Sequence, residues 1–417
     1  MELLKLHPTT YIPSYNPIEG FNSLIWNERF LDPSEFELKT HNVEATRAAL
    51  IPGKTLVTLR DTNAVMLVES HEITADENGA RELTVKGRGF EVILDQRQFR
   101  PIDENIDDDH TPGYRFWGYN RMPAEHAALW IHDQVVRKVS YGYSRAVGPG
   151  GEVTYIPVPF YDRSANDVIP NTLASVWRAN QPTMQARPDR GSLLENLLKF
   201  LPQYDLGLRT VRPSLGGAFS YAFPDGVVPA YTKTTTLNAP GLRFDVYSGV
   251  DRSRTVATPA NQVIFHYATG DLEQPKILQS FENYKNVALV DNAGNMSTVT
   301  PQYVYRNGAS TSLAGLDRRI LFVDAGLGDK TNVTASDVTR IGRNALAEHW
   351  RTIFYEGAIS NNSQYKYGES KNYYLGDTVT VFAGPDVEIK MIVSEYIRTQ
   401  DESGEKGYPT LTYVDAT

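Results

Sequence analysis

The segment Gly142–Ala146 has the glycine-x-serine spacing of a serine nucleophile, with Ser144 as the candidate. Such a serine needs a strand before it and a helix after it, because the sharp turn between them exposes the hydroxyl group. The sequence instead predicts a helix before Ser144 and a glycine–proline loop, Gly148–Gly151, after it. The chain also has no P-loop, HExxH or dinucleotide-binding motif. We therefore expect an ordinary serine here.

Three consecutive aspartates, Asp107–Asp109, could in principle bind Ca²⁺ through their carboxylate oxygens. The segment lacks the glycine and the terminal glutamate of an EF-hand loop, so a solvated acidic loop is the better interpretation. His126 and His132 are six residues apart and would not share a helix face, and His349 has no carboxylate at a useful spacing. We predict no metal site.

One aromatic cluster alternates with arginines. It comprises Tyr114, Arg115, Phe116, Trp117, Tyr119 and Arg121. Aromatic rings beside cations can stack on sugars or on nucleic-acid bases. Packing of an irregular loop against a β domain explains the same residues, and we favour that interpretation.

The composition excludes several classes of function. The chain has 417 residues, 41% of them hydrophobic, and a net charge of −9 at pH 7, so there is no general basic surface for nucleic acid. Cysteine is absent, which rules out disulfides, iron–sulfur clusters and cysteine nucleophiles. The N-terminus has no signal-peptide layout, and no apolar run approaches the ~20 residues that span a bilayer. We predict no catalytic residue, no cofactor and no stable membrane insertion.

Two stretches of the chain have similar sequence patterns, and both predict β structure that would hold the rest of the chain in place. Leu50–Phe90 predicts a β hairpin whose long strand begins at Met66 and whose turn ends at Gly79. The spacing from Met391 to Gly404 is the same, and each stretch opens with a β run, at Gly53 and at Gly376. Fixed spacing at two places suggests two copies of one small β domain. The alternative is that any two hairpins look alike.

Three helices are predicted in the middle of the chain. The first begins at Pro123 and has an apolar residue every fourth position: Ala127, Ile131, Val135 and Val139. The second begins with a capping box of Ser192 and Glu195 and stops at Pro202. The third runs from about Ser336 to Phe354.

Strands are predicted around these helices: Leu3–Leu6, Phe21–Trp26, Phe36–Leu38, Leu206–Val211, Ala218–Ala222, Leu242–Tyr247, Val263–Tyr267, Lys276–Tyr284, Asn286–Val290 and Ile320–Val323. The predicted fold is therefore α+β and mostly β. It has an N-terminal β domain at 1–100, a mixed α+β middle region at 101–355 and a related C-terminal β domain at 356–417.

Short motifs in three parts of the chain together carry a family resemblance. They are Glu35–Leu38, Leu50–Gly53, Gly87–Arg88 with Leu94 and Arg97, Leu194–Leu198, Leu242–Val246, Gly249–Ser253, Val263–Phe265, Asn286–Val290 and Leu375–Val379. In this order they resemble the tail-hub (minor tail) proteins of siphophages, especially those that infect actinobacteria. The match covers most of the chain, although Val153–Pro188 matches nothing.

The resemblance implies a trimer, similar to the baseplate hub of contractile-tailed phages, in which each subunit contributes two barrel-like tube domains. Six such domains would continue a sixfold tail tube and adapt it to threefold symmetry at the tip. A closed ring would also hide β-strand edges that otherwise invite pairing. From Lys371 onward the chain has eight acidic and four basic residues, and a lumen lined by some of them would let DNA slide.

The same resemblance implies partners and a location. We expect a homotrimer at the tail tip of the virion, made in the host cytoplasm, with the distal tail protein ring above it and other tail-tip or receptor-binding proteins below. The tape-measure protein would end in the lumen, and DNA would only pass through. Two alternatives are a tail-associated cell-wall hydrolase, for which the chain is expected to end too soon after the second hairpin, and a carbohydrate-binding tip protein that uses Trp117.

Overall fold

The computed structural model describes residues 1–41, 43–75, 79, 81–99, 122–131, 139–147, 153–162, 172–176, 191–212, 218–223, 231–236, 241–291, 301–306, 311–325, 335–349, 352–359, 363–368, 371–384 and 387–413. The chain forms two compact units. Unit 1 comprises Met1–Arg252, Tyr365–Asp377 and Val393–Pro409, and unit 2 comprises Ser253–Gln364, Thr378–Ile392 and Thr410–Thr417.

The strands are β1 (Leu3–Lys5), β2 (Ser23–Arg29), β3 (Glu35–Thr40), β4 (Leu56–Leu59), β5 (Met66–Ala75), β6 (Arg81–Gly89), β7 (Gln98–Phe99), β8 (Val139–Val147), β9 (Val153–Asp162), β10 (Thr172–Val176), β11 (Gly191–Ser192), β12 (Gly207–Val211), β13 (Ala218–Phe223), β14 (Tyr231–Thr236), β15 (Leu242–Tyr247), β16 (Ile264–His266), β17 (Leu272–Ser280), β18 (Val287–Asp291), β19 (Gln302–Tyr305), β20 (Ile320–Asp324), β21 (Thr352–Ile359), β22 (Thr378–Gly384), β23 (Val387–Asp401) and β24 (Gly404–Tyr413). The α-helices are α1 (Val43–Ala49), α2 (Pro123–Ile131), α3 (Leu193–Phe200) and α4 (Ala335–Ala347).

The main sheet of unit 1 has the order β1-β4-β5-β6-β3-β2-β23-β24, and the pairs from β1 to β23 are antiparallel. Burial alternates along its strands, so that Phe36 and Leu38 of β3 are buried while Glu35 and Glu37 are partly exposed. Such alternation is expected of an antiparallel sheet with one face on a core. That core contains Leu3, Leu24, Trp26, Phe36, Leu38, Val43, Leu50, Val57, Leu59, Met66, Val68, Leu83 and Val85.

A second core in unit 1 lies between helices and a small sheet. It joins the 3₁₀ helix Phe90–Gln96 and helices α2 and α3 to the sheet β10-β15-β12. Helix α3 begins where the capping box predicts, because the Ser192 hydroxyl accepts a hydrogen bond from the Glu195 N–H at 3.2 Å. Its apolar face is buried in this core, as the leucine spacing indicates.

Unit 2 contains two groups of strands. β16 pairs with β22, β22 pairs with β23 through Val387–Ile392, and β17 pairs with β21. A separate sheet has the order β19-β18-β20, and helix α4 packs on one of its faces. Gly342 makes this close packing possible, because a Cβ atom there would lie 2.7 Å from Val304 Cβ.

The main predictions about fold class are confirmed. The described residues are α+β with strands predominating, and both predicted hairpins are strand pairs, β5–β6 and β23–β24. The described strands form open sheets rather than closed barrels. The division at residues 100 and 355 stays a prediction. No helix in the described ranges is long and apolar enough to cross a membrane.

The helix predicted from Pro123 to Val139 is shorter in the structure. It ends at Ile131 in the described part, and Val139 instead begins strand β8. Aromatic and β-branched residues in β8 favour strand over a continued helical stripe. The four-residue spacing of apolar residues therefore predicts the helix but not the place where it ends.

Of the two other predicted helix ends, one differs from the prediction and one agrees with it. The third helix, α4, ends at Ala347, and Phe354 lies in strand β21, whose start is rich in β-branched and aromatic residues. The second helix, α3, ends at Phe200, just before Pro202, as the sequence predicts. The chain continues as a 3₁₀ helix, Leu201–Tyr204, because proline fits the first turn of a new helical segment, and it ends at Asp205 with φ 52°.

Candidate functional site

Among the described residues, the candidates for catalytic or metal-binding chemistry are Ser144 and His126, which lie in separate strand and helix elements. Ser144 lies inside strand β8, paired with Ile156 of β9, so it does not sit on a strand-to-helix turn. His126 is buried beside the rings of Trp130 and Phe200. The chemistry of an acyl-transfer or metal site is therefore not assembled around either residue.

Other candidates fall outside the described residues. These are Asp107–Asp109, His132 and the aromatic cluster 114–121. In the described part of the chain, no three His, Asp or Glu side chains are placed to hold a metal ion.

The two hairpins share a specific backbone arrangement at their first strands. The Gly53 N–H donates to the Val68 carbonyl at 2.7 Å, and the Gly376 N–H donates to the Val393 carbonyl at 2.8 Å. Both glycines have positive φ, 70° and 83°. Glycine suits these positions because residues with a Cβ atom rarely adopt positive φ.

The equivalence extends into the strands. Val57 pairs with Met66 across β4 and β5, and Val379 pairs with Met391 across β22 and β23. All four side chains are fully buried. The Met66 and Met391 positions that were matched by spacing thus occupy matching places in the strand pairs.

Asp377 connects two of the distant motifs that carry the family resemblance. One carboxylate oxygen accepts from the Val250 N–H at 2.7 Å. The other accepts from Arg252 Nε at 2.6 Å and from the Tyr374 N–H at 3.0 Å. Asp377 is 3% exposed, so these hydrogen bonds replace the water that the carboxylate loses on burial.

The backbones of the same two motifs are in close contact. A Cβ atom on Gly249 would lie 1.9 Å from the Gly376 carbonyl, so only glycine fits there. On Gly376 a Cβ atom would lie 2.5 Å from the ring of Phe30, and on Gly207 it would also lie 2.5 Å from that ring. Gly207 and Gly376 therefore allow the chain to pack around Phe30, and Gly249 allows the backbone at the start of the second hairpin to come close.

The buried cation of Arg209 lies close to Tyr374, whose N–H binds Asp377. Arg209 is 7% exposed, and its guanidinium carbon lies 4.5 Å from the ring centroid of Tyr247 and 5.0 Å from that of Tyr374. The Asp245 carboxylate, which is fully buried, lies 3.5 Å from Arg209 and also accepts two hydrogen bonds from Arg243. Stacking and ion pairing together hold the positive charge in a desolvated position.

Stacked tyrosines lie next to a second buried carboxylate. The rings of Tyr367 and Tyr396 stack with centroids 3.6 Å apart, and the Tyr367 hydroxyl donates to Glu28 at 2.9 Å. Burial raises the pKa of Tyr367 well above its usual range, and the neighbouring Glu28 charge raises it further. Burial raises the pKa of Tyr373 and Tyr396 as well. Burial thus favours the neutral form of these three tyrosines in the folded unit 1.

Glu91 is a buried carboxyl group at a small cavity. The cavity, about 10 Å³ of space open to the centre of a water molecule, is lined in part by Glu28, Ser34, Glu91 and Arg209. The Ser34 N–H donates to Glu91 at 3.3 Å. Burial raises the pKa of Glu91 to about 7, because this and other hydrogen bonds only partly offset desolvation. A space of this size fits a single water molecule and no substrate.

The outward face of the unit 1 sheet is charged but locally neutralised. Ion pairs cross neighbouring strands: Arg29 with Glu35 and Glu395, Lys39 and Lys86 with Glu37, and Arg88 with Glu69. We call these eight residues the ion-paired face. Burial alone would raise the pKa of Glu37, but Lys86 and Lys39 outweigh it and lower the pKa. Four cations are thus matched by four carboxylates.

These arrangements bind parts of the chain to one another and offer no reacting pair in the described residues. Sequence reasoning named the Gly249–Ser253 and Leu375–Val379 motifs but did not predict that Asp377 joins them. It also missed Arg209 and Glu91, because nothing local marks a charged residue in a strand as buried. The aspartate that follows Gly376 was the one available signal, since short polar side chains often bind nearby backbone N–H groups.

The chain was compared with known proteins. No curated protein matches it. The solved tail protein from Neisseria meningitidis MC58 is similar over 100% of this chain and 97% of its own, with TM-score 0.52 and 9% identity. The 43 kDa tail protein of prophage MuSo2 from Shewanella oneidensis is similar over 99% and 98%, with TM-score 0.50 and 12% identity.

At such low identity these two structures establish a shared fold. The family model of the Siphovirus ReqiPepy6 Gp37-like proteins matches residues 14–411, nearly the whole chain. The predicted resemblance to siphophage tail proteins is confirmed at this level. This chain therefore belongs to the Siphovirus ReqiPepy6 Gp37-like family, and it has the fold of phage tail proteins.

Proposed function

We propose that the chain is a structural protein of the siphophage tail that forms the hub at the tail tip. Three copies would each supply two related β domains, so that six domains continue the sixfold tube and adapt it to threefold symmetry. The distal tail protein ring would lie above the hub, and other tail-tip or receptor-binding proteins below. The tape-measure protein would end in its lumen.

The observation that carries this proposal is the equivalence of the two hairpins. Gly53 and Gly376 make equivalent backbone hydrogen bonds, and φ is positive at both. The buried pairs Val57–Met66 and Val379–Met391 occupy equivalent positions in the strands. A protomer with two equivalent β elements can occupy two neighbouring positions of a sixfold ring. Three such protomers fill six positions, whereas two or four do not.

The ion-paired face supports a role in DNA passage. DNA binds proteins mainly by releasing counterions when lysine and arginine neutralise its phosphates. The four cations of the ion-paired face already have carboxylate partners, so they offer little of that driving force. We propose that this face lines the lumen and lets DNA slide.

A cell-wall hydrolase is the competing function. Ser144 lies within a strand, and the described residues hold no metal-binding group. These observations favour a structural role. Digestion of cell walls by the purified chain, abolished by Ser144→Ala, would support the hydrolase instead.

Cryo-electron microscopy of intact tails tests the hub directly. We expect three copies at the tip, with both hairpins in one ring around an open lumen and the ion-paired face toward its axis. One copy or six copies would contradict the hub. A lumen lined mainly by unpaired arginine and lysine would contradict the role proposed for the ion-paired face while leaving the stoichiometry intact.

A further inference from the structure

The small cavity beside Glu91 has four charged groups in its wall. They are Glu28 and Arg29 of β2, Arg209 of β12 and Glu91 of the 3₁₀ helix Phe90–Gln96. All four belong to unit 1. Charges that face one another across the space of a single water molecule interact strongly, because little solvent screens them. A change of charge on one of these groups therefore acts on the others.

Two of these groups already have partners. The Glu28 carboxylate accepts hydrogen bonds from the Trp26 indole N–H at 3.2 Å and from the Tyr367 hydroxyl at 2.9 Å. Arg29 is paired with two carboxylates on the ion-paired face. The cavity wall thus carries one fixed negative charge and one cation that is already matched.

The carboxyl group of Glu91 binds neutral donors. The Ser34 N–H donates to it at 3.3 Å, and Thr210 of β12 supplies further hydrogen bonds. In the described part of the chain Glu91 forms no ion pair. The charged and titratable groups that face it from the surrounding elements are Glu28 and Arg29 of β2, Arg88 of β6, Arg209 of β12, Tyr247 of β15 and Tyr374. Arg88 is paired with Glu69, so Arg209 is the remaining cation of this group.

Arg209 is held by a carboxylate that has a second cation. Arg209 and Asp245 are partners in register across β12 and β15, with 3.5 Å between their charged atoms. Asp245 also accepts two hydrogen bonds from Arg243, one on each carboxylate oxygen. Such a two-point contact is the stronger kind of arginine–carboxylate pair. Asp245 therefore remains paired when Arg209 turns away from it.

We propose that Arg209 is a movable cation shared by Asp245 and Glu91, and that a proton on Glu91 determines which of the two it contacts. With Glu91 protonated, Arg209 stays beside Asp245 and over the ring of Tyr374. With Glu91 ionised, Arg209 turns to Glu91 across the cavity, and Arg243 alone neutralises Asp245. Each of the two carboxylates then has its own cation, and neither is left as an unpaired buried charge.

The exchange is set near neutral pH. Burial raises the pKa of Glu91 to about 7, so the carboxyl group holds its proton at pH 5.5 and has lost it at pH 8.5. Burial also raises the pKa of Tyr247 well above its usual range, so this neighbour does not ionise over the same interval. Rising pH therefore moves Arg209 from Asp245 to Glu91.

The position of Arg209 bears on the start of the second hairpin. Its guanidinium carbon lies 5.0 Å from the ring centroid of Tyr374, and the Tyr374 N–H donates to Asp377 at 3.0 Å. Asp377 in turn connects the two distant motifs described above. Loss of the proton from Glu91 therefore withdraws a stacking contact from the segment that joins these motifs. This device acts within one copy and does not depend on the proposed hub.

Crystal structures of the purified chain at pH 5.5 and pH 8.5 test the exchange directly. We expect the Arg209 guanidinium within about 4 Å of Asp245 at the lower pH and within about 4 Å of Glu91 at the higher pH. Glu91→Gln keeps the shape of the side chain but cannot ionise, so its Arg209 should stay beside Asp245 at both pH values. An Arg209 that keeps its contact with Asp245 in the natural chain at pH 8.5, or that moves in Glu91→Gln as well, would overturn the proposal.

Amide hydrogen exchange gives a second readout in solution. After correction for the intrinsic effect of pH, protection of Tyr374–Val379 should fall about tenfold between pH 5.5 and pH 8.5, the size expected when a buried cation–π contact is lost. Glu91→Gln should show no such fall. Constant protection in the natural chain would show that Arg209 does not support this segment.

Glu37→Gln is the matched control, because it removes a partly exposed carboxylate of the ion-paired face and leaves the cavity unchanged. It should respond to pH like the natural chain. The same fall in protection in all three chains would assign the pH response to another group and refute the role proposed for Glu91.

Discussion

The two hairpin regions share a backbone arrangement but differ in what surrounds it. In the first, a Cβ atom on Gly53 would meet nothing within 4 Å. In the second, Gly376 is enclosed by the ring of Phe30 and by the backbone of Gly249. The same left-handed glycine is thus open in one copy and packed in the other. The first tolerates change, whereas the second joins segments that are far apart in sequence.

The residue two positions before the paired valine in each hairpin, Thr55 or Asp377, shows the same contrast. The Thr55 hydroxyl accepts a hydrogen bond from the Ile51 N–H at 2.8 Å, and Asp377 accepts one from the Tyr374 N–H. Both side chains therefore close a local turn. Only Asp377 has a second oxygen, and it uses its carboxylate to bind Val250 and Arg252 as well. One additional oxygen atom converts a local turn into a long-range connection.

Alanine at the two glycines should give the largest difference. Gly376→Ala is expected to lower the free energy of unfolding by about 3–5 kcal/mol, because left-handed strain adds to overpacking against Phe30. Gly53→Ala should cost only about 1–2 kcal/mol, since strain acts there without a clash. Urea unfolding of both variants measures this. Equal losses would show that the two surroundings do not differ in energy.

Removing the two turn-closing side chains should give the next difference. Asp377→Ala is expected to cost about 3 kcal/mol, because it leaves Arg252 and the backbone N–H groups of Val250 and Tyr374 without their acceptor. Thr55→Ala should cost about 1 kcal/mol, the value of one local hydrogen bond. Thermal unfolding would show this as two clearly separated midpoints. Asp401→Ala in the exposed turn serves as the control for loss of one negative charge.

Glu91, which follows β6 in the first hairpin region, should make the free energy of unfolding depend on pH. Its pKa of about 7 in the folded chain lies above the usual 4.5, so the folded state holds a proton that the unfolded state releases. Stability should therefore fall as pH rises from 4.5 to 7 and then level off. At pH 8, Glu91→Gln should be more stable than the natural chain by about 3 kcal/mol.

At pH 4.5 that gain should nearly vanish, because the carboxyl group is then neutral in the folded state and only half ionised in the unfolded state. Urea unfolding at the two pH values provides the measurement. Glu72→Gln on the exposed hairpin is the control and should show no such change. A gain that is the same at both pH values would argue against ionisation of Glu91 as its cause.

The smallest difference is expected where the two regions are most alike. Met66→Ala and Met391→Ala each remove a fully buried side chain paired with a buried valine, so each should cost about 2–5 kcal/mol. The two losses should agree to within about 2 kcal/mol, the spread that one kind of large-to-small substitution shows between core sites. A much larger gap, measured by urea unfolding, would mean that the matched positions are not equivalent in packing.

The hairpins were predictable because their signals are local. Turn residues, β-branched strands and a fixed spacing from methionine to glycine all lie within a few residues of each other. The capping box at Ser192 was predictable for the same reason. The end of helix α4 was not, because apolar spacing alone does not tell a continuing helix from the strand that follows it.

The candidate site was mostly beyond sequence reasoning. Asp377 acts on Val250 and Arg252, which precede it by more than a hundred residues. Arg209 and Asp245 lie on neighbouring strands, but strand periodicity does not reveal that both faces of that sheet are covered. Long-range polar contacts depend on the tertiary fold, and a single sequence does not report them.

The buried tyrosines of unit 1 also provide an absorbance signal for the unfolding of this unit. Tyrosinate absorbs at longer wavelength than tyrosine, and burial keeps Tyr367, Tyr373 and Tyr396 from ionising at pH values that ionise exposed tyrosines. An alkaline titration should therefore show exposed tyrosines first and these three only when the unit opens. Their delayed absorbance rise gives a label-free spectroscopic marker for the integrity of this unit, in free protein and in assembled tails.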